Sequence, residues 1–256
     1  MQLCAAVFVL AASACSTNAQ TLQLLSYVST DKSGDVQLAY NILHPMAGDA
    51  ELVATINSTL APLLVPETMA DESGEKNVGN KSILETVKWV EKNYFAKVKE
   101  ALSDFEYEGM MMPYSFAADL RRTMAPKNVV GFMLETYEET GGVHGMPFIY
   151  PVAFDMQRKR VINYDDIFAD KTALLAKVKE YLSYEYGQEG LASFEEYSEG
   201  IGLPETHTVG FDAYSIVLQY QAYEIGPYAA GRPTVHIPYA DALPLMNDYG
   251  RRLCSK

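Results

Sequence analysis

Two apolar, extended runs separated by a glycine-rich turn near the middle of the chain constrain the fold more than any other feature. The runs are 129–137 and 148–154, and the turn between them contains Gly141 and Gly142. Glycine reaches positive φ at little steric cost, so an adjacent pair of glycines favours a tight reversal of the chain. The stretch therefore predicts two neighbouring strands joined at this turn.

The same turn carries titratable side chains. Glu138 and Glu139 precede the glycines, and His144 follows them. Loops often hold functional residues, but most polar loop residues are only hydrated. The pattern is compatible with a ligand site and with a hairpin that has a polar tip.

Strand-like and helix-like patterns alternate along the rest of the chain, which predicts an α+β fold: an antiparallel β-sheet with helices packed on one face, in two interleaved subdomains. In the helix 82–102, Ser82 and Glu85 match a capping box, and apolar residues recur at helical spacing. The extended runs are 22–28, 36–43, 105–116, 128–138, 148–156, 206–211, 213–220 and 234–237, and the helical segments are 50–64, 82–102, 171–186 and 239–252.

The charge of the chain limits its partners. It has 256 residues, a formal net charge of −13 and 48% hydrophobic residues, enough for a substantial core. Nucleic acids and anionic membrane surfaces reward Lys and Arg, so neither is an expected partner. A cationic partner fits this charge, although acidity also serves solubility alone.

The first 20 residues predict an export segment, because 3–14 is a short run of apolar and small residues. Ala12-Ser-Ala-Cys15 is similar to a lipobox, in which Cys15 would be acylated, whereas cleavage after Ala19 is the alternative. We expect an exported protein of the bacterial envelope, attached to a membrane only through this lipid. Cys254 would then be the last free cysteine, with no intramolecular disulfide.

Common catalytic motifs are missing from the sequence. It has no phosphate-binding glycine loop, no G-x-S-x-G, no H-E-x-x-H and no C-x-x-C. Its four histidines are too far apart in sequence for a local metal motif, and we expect neither a metal nor a cofactor. A Ser/His/Asp triad stays open, because triads are recognised by geometry and not by order.

A second turn carries a cluster of tyrosines. In 220–231, Gly226-Pro227 ends a strand, and Tyr223, Glu224 and Tyr228 lie around the reversal. Their rings could pack against the sheet, or they could form a recognition patch, since tyrosine combines contact area with a polar tip.

Four motifs resemble, in order and spacing, the extracellular module shared by RsiV-like anti-sigma factors and PdaC-like peptidoglycan deacetylases. They are TGGVHG at 140–145, VINYDDIF at 161–168, YEIGPYAAG at 223–231 and VHIPY at 235–239. The resemblance implies a PdaC-like region at 21–138 and an RsiV-like region at 139–256. The sequence matches neither a sigma-binding segment with a membrane span nor a deacetylase domain.

The resemblance implies a binding module, because in RsiV-like proteins this module is a lysozyme receptor. We expect a partner such as a lysozyme or another muramidase, or cell-wall glycan, at a surface made of Glu138, Gly141, Gly142, His144, Tyr223, Glu224 and Tyr228. One alternative is a cell-wall hydrolase that uses Glu138, His144 or Glu224 as acid or base. The other is a structural lipoprotein without catalytic function.

Overall fold

The computed structural model describes residues 21–103, 113–186 and 200–254, and it confirms the predicted α+β class. The first sheet follows chain order, with β1 (Gln23–Ser33), β2 (Val36–Ala47), β3 (Tyr114–Thr123), β4 (Val129–Thr140), β5 (Met146–Asp155) and β6 (Arg160–Ile162). The second sheet contains β7 (Gly210–Phe211), β8 (Ser215–Gln219) and β9 (Thr234–Pro238), in that order. The predicted export segment 1–20 and Cys15 lie outside the described residues.

The sheet is mixed, and in this it differs from the antiparallel prediction. β1 and β2 form the expected antiparallel hairpin, but β2 and β3 pair in parallel, from Val36 opposite Tyr114 to Ile42 opposite Leu120. Parallel neighbours need a long crossover connection, and the segment between β2 and β3 supplies one that includes two helices.

Six helices are present in the described parts of the chain. They are α1 (Ala50–Leu60), α2 (Ile83–Ser103), α3 (Tyr164–Ile167), α4 (Lys171–Tyr186), α5 (Tyr239–Ala242) and α6 (Asp248–Cys254). The single closing helix predicted at 239–252 is wrong. Pro244 lies in a 3₁₀ turn at Leu243–Leu245, and proline lacks the amide that a continuous helix needs. Among the described helices, none combines the length and apolarity needed to cross a bilayer.

The chain divides into two compact, interleaved units. Unit 1 contains the described residues up to Arg121 and the segment Glu135–Pro147, and unit 2 contains Arg122–Leu134 and the described residues from Phe148 onward. Strands β3, β4 and β5 each contribute residues to both units. The division of the sequence into regions at 138 and 139 stays a prediction.

The core of unit 1 is built on α2. The predicted capping box is present: the Ser82 amide donates to the Glu85 carboxylate at 2.8 Å, and the Glu85 amide donates to Ser82 Oγ at 3.3 Å. The predicted apolar stripe is fully buried from Ile83 to Val98, whereas Leu102, its last predicted member, is 38% exposed. The fully buried Tyr40 of β2 donates its hydroxyl to the Leu64 carbonyl at 2.9 Å.

The core of unit 2 combines α4 with the second sheet. Leu174, Val178 and Leu182 of α4 are fully buried in one cluster with apolar residues of β8 and β9. The neighbouring loops are tied to this core through tyrosine hydroxyls. Tyr220 donates to the Gly202 carbonyl at 2.7 Å, and Tyr164 donates to the Pro204 carbonyl at 3.1 Å.

Candidate functional site

The predicted central turn joins β4 to β5, and its geometry rests on one of its two glycines. Gly141 has φ of 76° and donates its amide to the Pro113 carbonyl at 3.1 Å, whereas Gly142 does not adopt positive φ. The tip of the turn is open to solvent, since Val143 is fully exposed and His144 is exposed. This turn belongs to unit 1.

Glu138 is buried, although the sequence suggested a place at the surface. Its side chain is 7% exposed. The Glu67 amide donates to it at 2.7 Å, and the Thr68 amide and hydroxyl donate at 3.2 and 3.3 Å. Burial raises the pKa of Glu138, against the opposing effect of the two amide hydrogen bonds. This carboxylate holds the 3₁₀ turn Glu67–Met69 in place through these bonds.

Gly145, at the end of the turn, leaves room for an aromatic ring. A β-carbon built there would lie 2.3 Å from Cζ of Tyr137, whose ring is partly exposed. The ring covers the glycine, and the two residues fix the direction in which the chain enters β5.

Gly145→Ala should therefore push the Tyr137 ring into solvent and lower the free energy of unfolding by about 1 kcal/mol, because the ring can move but loses its packing. The measurement is urea unfolding of Gly145→Ala, Tyr137→Ala and the double variant. The effect of Gly145→Ala should vanish in the Tyr137→Ala background. Equal effects of Gly145→Ala in both backgrounds would contradict the contact.

The second predicted turn, which we call the tyrosine loop (223–231), presents an aromatic pair in unit 2. Tyr223 is 55% exposed and has φ of 69°, a conformation that costs a residue with a β-carbon free energy. The centroid of its ring lies 5.6 Å from that of Tyr228, with the two planes tilted by 39°. Gly231 ends the loop with φ of 72°.

The tyrosine loop is held in place by its own carboxylate. Glu224 accepts hydrogen bonds from the Glu205 and Gln221 amides, both at 2.7 Å. The Gln221 side chain in turn pairs with the Ile149 backbone, donating to the carbonyl at 2.7 Å and accepting from the amide at 3.1 Å. Because both oxygens of Glu224 bind amides, this carboxylate positions the loop.

A groove of about 340 Å³ runs along the tyrosine loop, lined by Gly200, Ile201 and the segment 223–227. Ile201, Ile225 and Pro227 make its walls largely apolar, and Tyr223 stands at its side. An apolar groove beside an exposed tyrosine can bind a side chain or a small ring through contact area.

The structure also brings together Asp212, Ser215 and His236, which the sequence did not single out as a group. Ser215 Oγ donates to Asp212 Oδ2 at 2.5 Å, and His236 Nδ1 lies 3.0 Å from the same oxygen. In a catalytic triad the histidine would bridge serine and aspartate through its two nitrogens. Here Nδ1 is the atom near both residues, with Ser215 Oγ at 3.4 Å. Asp212 also accepts the Tyr214 and Ser215 amides, so the cluster builds the tip of the β7–β8 hairpin.

The histidines do not assemble into a metal centre. Within 21–103, 113–186 and 200–254, no three His, Cys, Asp or Glu side chains are placed to hold an ion. His207 stacks on Tyr164, with ring centroids 5.0 Å apart, and its Nδ1 lies 2.5 Å from Asp165 Oδ2. His44 is buried in unit 1, where burial lowers its pKa against the effect of the Pro45 carbonyl.

Of the predicted surface residues, the structure brings Tyr223, Glu224 and Tyr228 together in the tyrosine loop. Gly141, Gly142 and His144 lie in the central turn of unit 1, and Glu138 lies beneath the surface of that unit. A single surface made of both loops stays a prediction.

Comparison with known proteins shows a family to which part of the chain is similar. Residues 165–240, which include the tyrosine loop, match the model of DUF3298, a protein family of unknown function. No curated protein matches the chain. A crystal structure of a DUF3298 family member from Bacteroides fragilis is 20% identical, with a TM-score of 0.69, and the alignment covers 94% of this chain and 100% of that one. A DUF3298 family protein from Pseudomonas aeruginosa is 16% identical, with a TM-score of 0.57 and coverage of 90% and 96%. The resemblance drawn from the motifs is therefore confirmed, with residues 165–240 matching the DUF3298 family and the fold of the chain matching two of its solved members.

Proposed function

We propose that this protein is a binding module of the bacterial envelope, that the tyrosine loop is its recognition surface, and that its partner is a cationic protein such as a lysozyme. The observation that carries the proposal is Tyr223, which is half-exposed and held at positive φ. Strained backbone persists where the surrounding structure enforces it, and such positions cluster at ligand-binding sites.

The anchoring of the loop supports binding by a preformed surface. Glu224 and the Gln221 side chain fix the base of the loop through four hydrogen bonds to backbone groups. A loop that is already ordered loses little entropy on binding, so more of the contact energy contributes to affinity. Tyrosine is among the residues that dominate the affinity of protein interfaces.

The charge of the chain supports a cationic partner. A net charge of −13 attracts a basic protein over distances beyond direct contact. The exposed Glu205 lies beside the loop, because its backbone amide donates a hydrogen bond to the Glu224 carboxylate. The commitment of Glu224 to backbone amides favours binding over acid–base catalysis by this residue. The predicted export segment with Cys15 is the basis for proposing that the module lies in the envelope.

Replacing both tyrosines should abolish specific recognition. We expect lysozyme to bind the chain from residue 21 onward at physiological salt, and Tyr223→Ala/Tyr228→Ala to weaken binding at least about tenfold, or ~1.4 kcal/mol. Titration calorimetry at several salt concentrations measures this. The matched control is Tyr184→Ala, which removes a tyrosine that is 71% exposed on α4.

Binding that fades with salt equally in both proteins would be non-specific attraction and would contradict the proposal. Soluble peptidoglycan fragments form a second arm of the experiment. If they bind through Tyr223 and Tyr228 while lysozyme does not, the recognition surface stands and the partner is a glycan.

A further inference from the structure

Unit 2 contains a larger cavity, away from the tyrosine loop, for which neither the motifs nor the family suggests a role. Its volume is about 650 Å³, within the range of small-molecule sites. One wall is the segment 122–127, and the other is formed by Asp212, Ala213, Tyr239 and Cys254. None of these residues lines the groove of the tyrosine loop.

Two cations at this cavity have no partner among the described residues. Arg122 and Lys127 are both exposed, and neither side chain forms a hydrogen bond or an ion pair with any residue that the structure describes. Their neighbour Arg121, by contrast, pairs with Asp119 and Glu135. In a chain with a net charge of −13, two cations left unpaired at one cavity favour an anionic ligand.

Asp212 does not neutralise these cations, although it lines the same cavity. Its Oδ1 accepts the Tyr214 and Ser215 amides, both at 2.7 Å, and its Oδ2 accepts Ser215 Oγ and lies 3.0 Å from His236 Nδ1. The carboxylate keeps its charge, but the lining sets two cations, Arg122 and Lys127, against this one carboxylate, so the net charge of the lining is positive.

The remaining lining is apolar. Met124 is 71% exposed, and Ala125 and Pro126 continue the same wall. Tyr239 also lines the cavity, and its hydroxyl donates to the backbone carbonyl of Asp212 at 2.9 Å. Because the hydroxyl is bonded there, the aromatic ring is the part of Tyr239 that can contact an apolar ligand. Methionine adapts its shape to apolar ligands, so an exposed one at a cavity suits a flexible hydrocarbon chain.

We propose that this cavity binds an amphipathic organic anion, a carboxylate or phosphate group attached to a hydrocarbon chain. Arg122 and Lys127 hold the anionic group, and Met124 and Tyr239 contact the hydrocarbon chain of the ligand. Cys254 lines the cavity and is the single cysteine of the protein from residue 21 onward. The reactivity of its thiol therefore indicates whether a ligand fills the cavity.

Calorimetric titration with decanoate, below the concentration at which it forms micelles, tests the proposal. We expect saturable one-to-one binding that weakens at least tenfold in Arg122→Ala/Lys127→Ala. The matched control is Lys92→Ala/Lys99→Ala, which removes the same charge from exposed positions on α2 and should bind decanoate as the parent does. Equal binding by the Arg122/Lys127 variant and the parent would overturn the proposal.

Two further ligands separate the role of the anionic group from the role of the hydrocarbon chain. Decyltrimethylammonium has the same chain with the opposite charge, and acetate has the charge without the chain; neither should saturate the site. Decanoate should also slow maleimide labelling of Cys254 in the parent, and labelling that is unaffected by bound decanoate would place the ligand elsewhere and overturn the assignment.

Phosphatidylglycerol vesicles distinguish the source of the anion. Sedimentation with vesicles that is lost in Arg122→Ala/Lys127→Ala would assign the anion to a lipid headgroup, and binding of decanoate without sedimentation would assign it to a free amphiphile. Absence of both would overturn the proposal.

Discussion

Replacing Glu138 with alanine should lower the free energy of unfolding by about 2–4 kcal/mol, which is among the largest effects expected of any single substitution in unit 1. The carboxylate is 7% exposed and accepts three hydrogen bonds from Glu67 and Thr68. Its removal leaves two amides and a hydroxyl without their acceptor near the core. Urea unfolding of the parent and of Glu138→Ala at pH 7 measures this loss in the free energy of unfolding.

The pH dependence gives this prediction a second readout. Because burial raises the pKa of Glu138, the folded protein binds this proton more tightly than the unfolded chain does. The corresponding stability is fully present below the unfolded pKa, near 4.5, and is lost as pH rises through the folded pKa. Glu138→Gln should remove this loss, so its free energy of unfolding should fall less than that of the parent between pH 4.5 and 8.

Glu139→Gln is the matched control, since neighbouring strand residues point to opposite faces. It should change the free energy of unfolding by less than about 0.5 kcal/mol. If Glu138→Ala were no more damaging than Glu139→Gln, Glu138 would not be the acceptor for the turn at Glu67–Met69.

Local patterns predicted the parts of the fold that depend on local physics. The capping box of Ser82 and Glu85 and the buried stripe of α2 follow from helical spacing, and the β1–β2 hairpin follows from a short turn between alternating runs. The parallel pairing of β2 with β3 was not predictable in this way. It joins residues separated by about 80 positions, and no local pattern records which strand lies beside which.

In the candidate site, too, local patterns predicted some features, and contacts between distant residues decided the others. Glu138, Glu224 and Asp212 are polar residues near turns, and a sequence alone does not distinguish a carboxylate that faces a ligand from one that accepts backbone amides. The positive φ of Tyr223 could not be predicted from the sequence either, because tyrosine does not favour this conformation. The cavity at Arg122 was missed because its two walls come from segments about 90 residues apart or more.

Gly250→Ala, in unit 2, should lower the free energy of unfolding by an amount comparable to that of Glu138→Ala. Gly250 is buried in α6, and a β-carbon there would lie 2.6 Å from the Ile167 carbonyl oxygen and 3.0 Å from Ile167 Cβ. Backbone of α3 cannot rotate away as a side chain can, so α6 must shift. Alanine gains about 1 kcal/mol over glycine as a helix former, and overpacking of about 3 kcal/mol leaves a net loss of about 2 kcal/mol in the free energy of unfolding.

Gly202→Ala is the control for Gly250→Ala, because a β-carbon at Gly202 meets nothing within 4 Å. A second readout follows from the position of Cys254 at the end of α6. Burial raises the pKa of its thiol to about 11, so maleimide should label it slowly in the parent at pH 7. A shift of α6 exposes this thiol, so labelling should be faster in Gly250→Ala and unchanged in Gly202→Ala. Parent-like stability and labelling of Gly250→Ala would mean that α6 does not pack against Ile167 as closely as the structure places it.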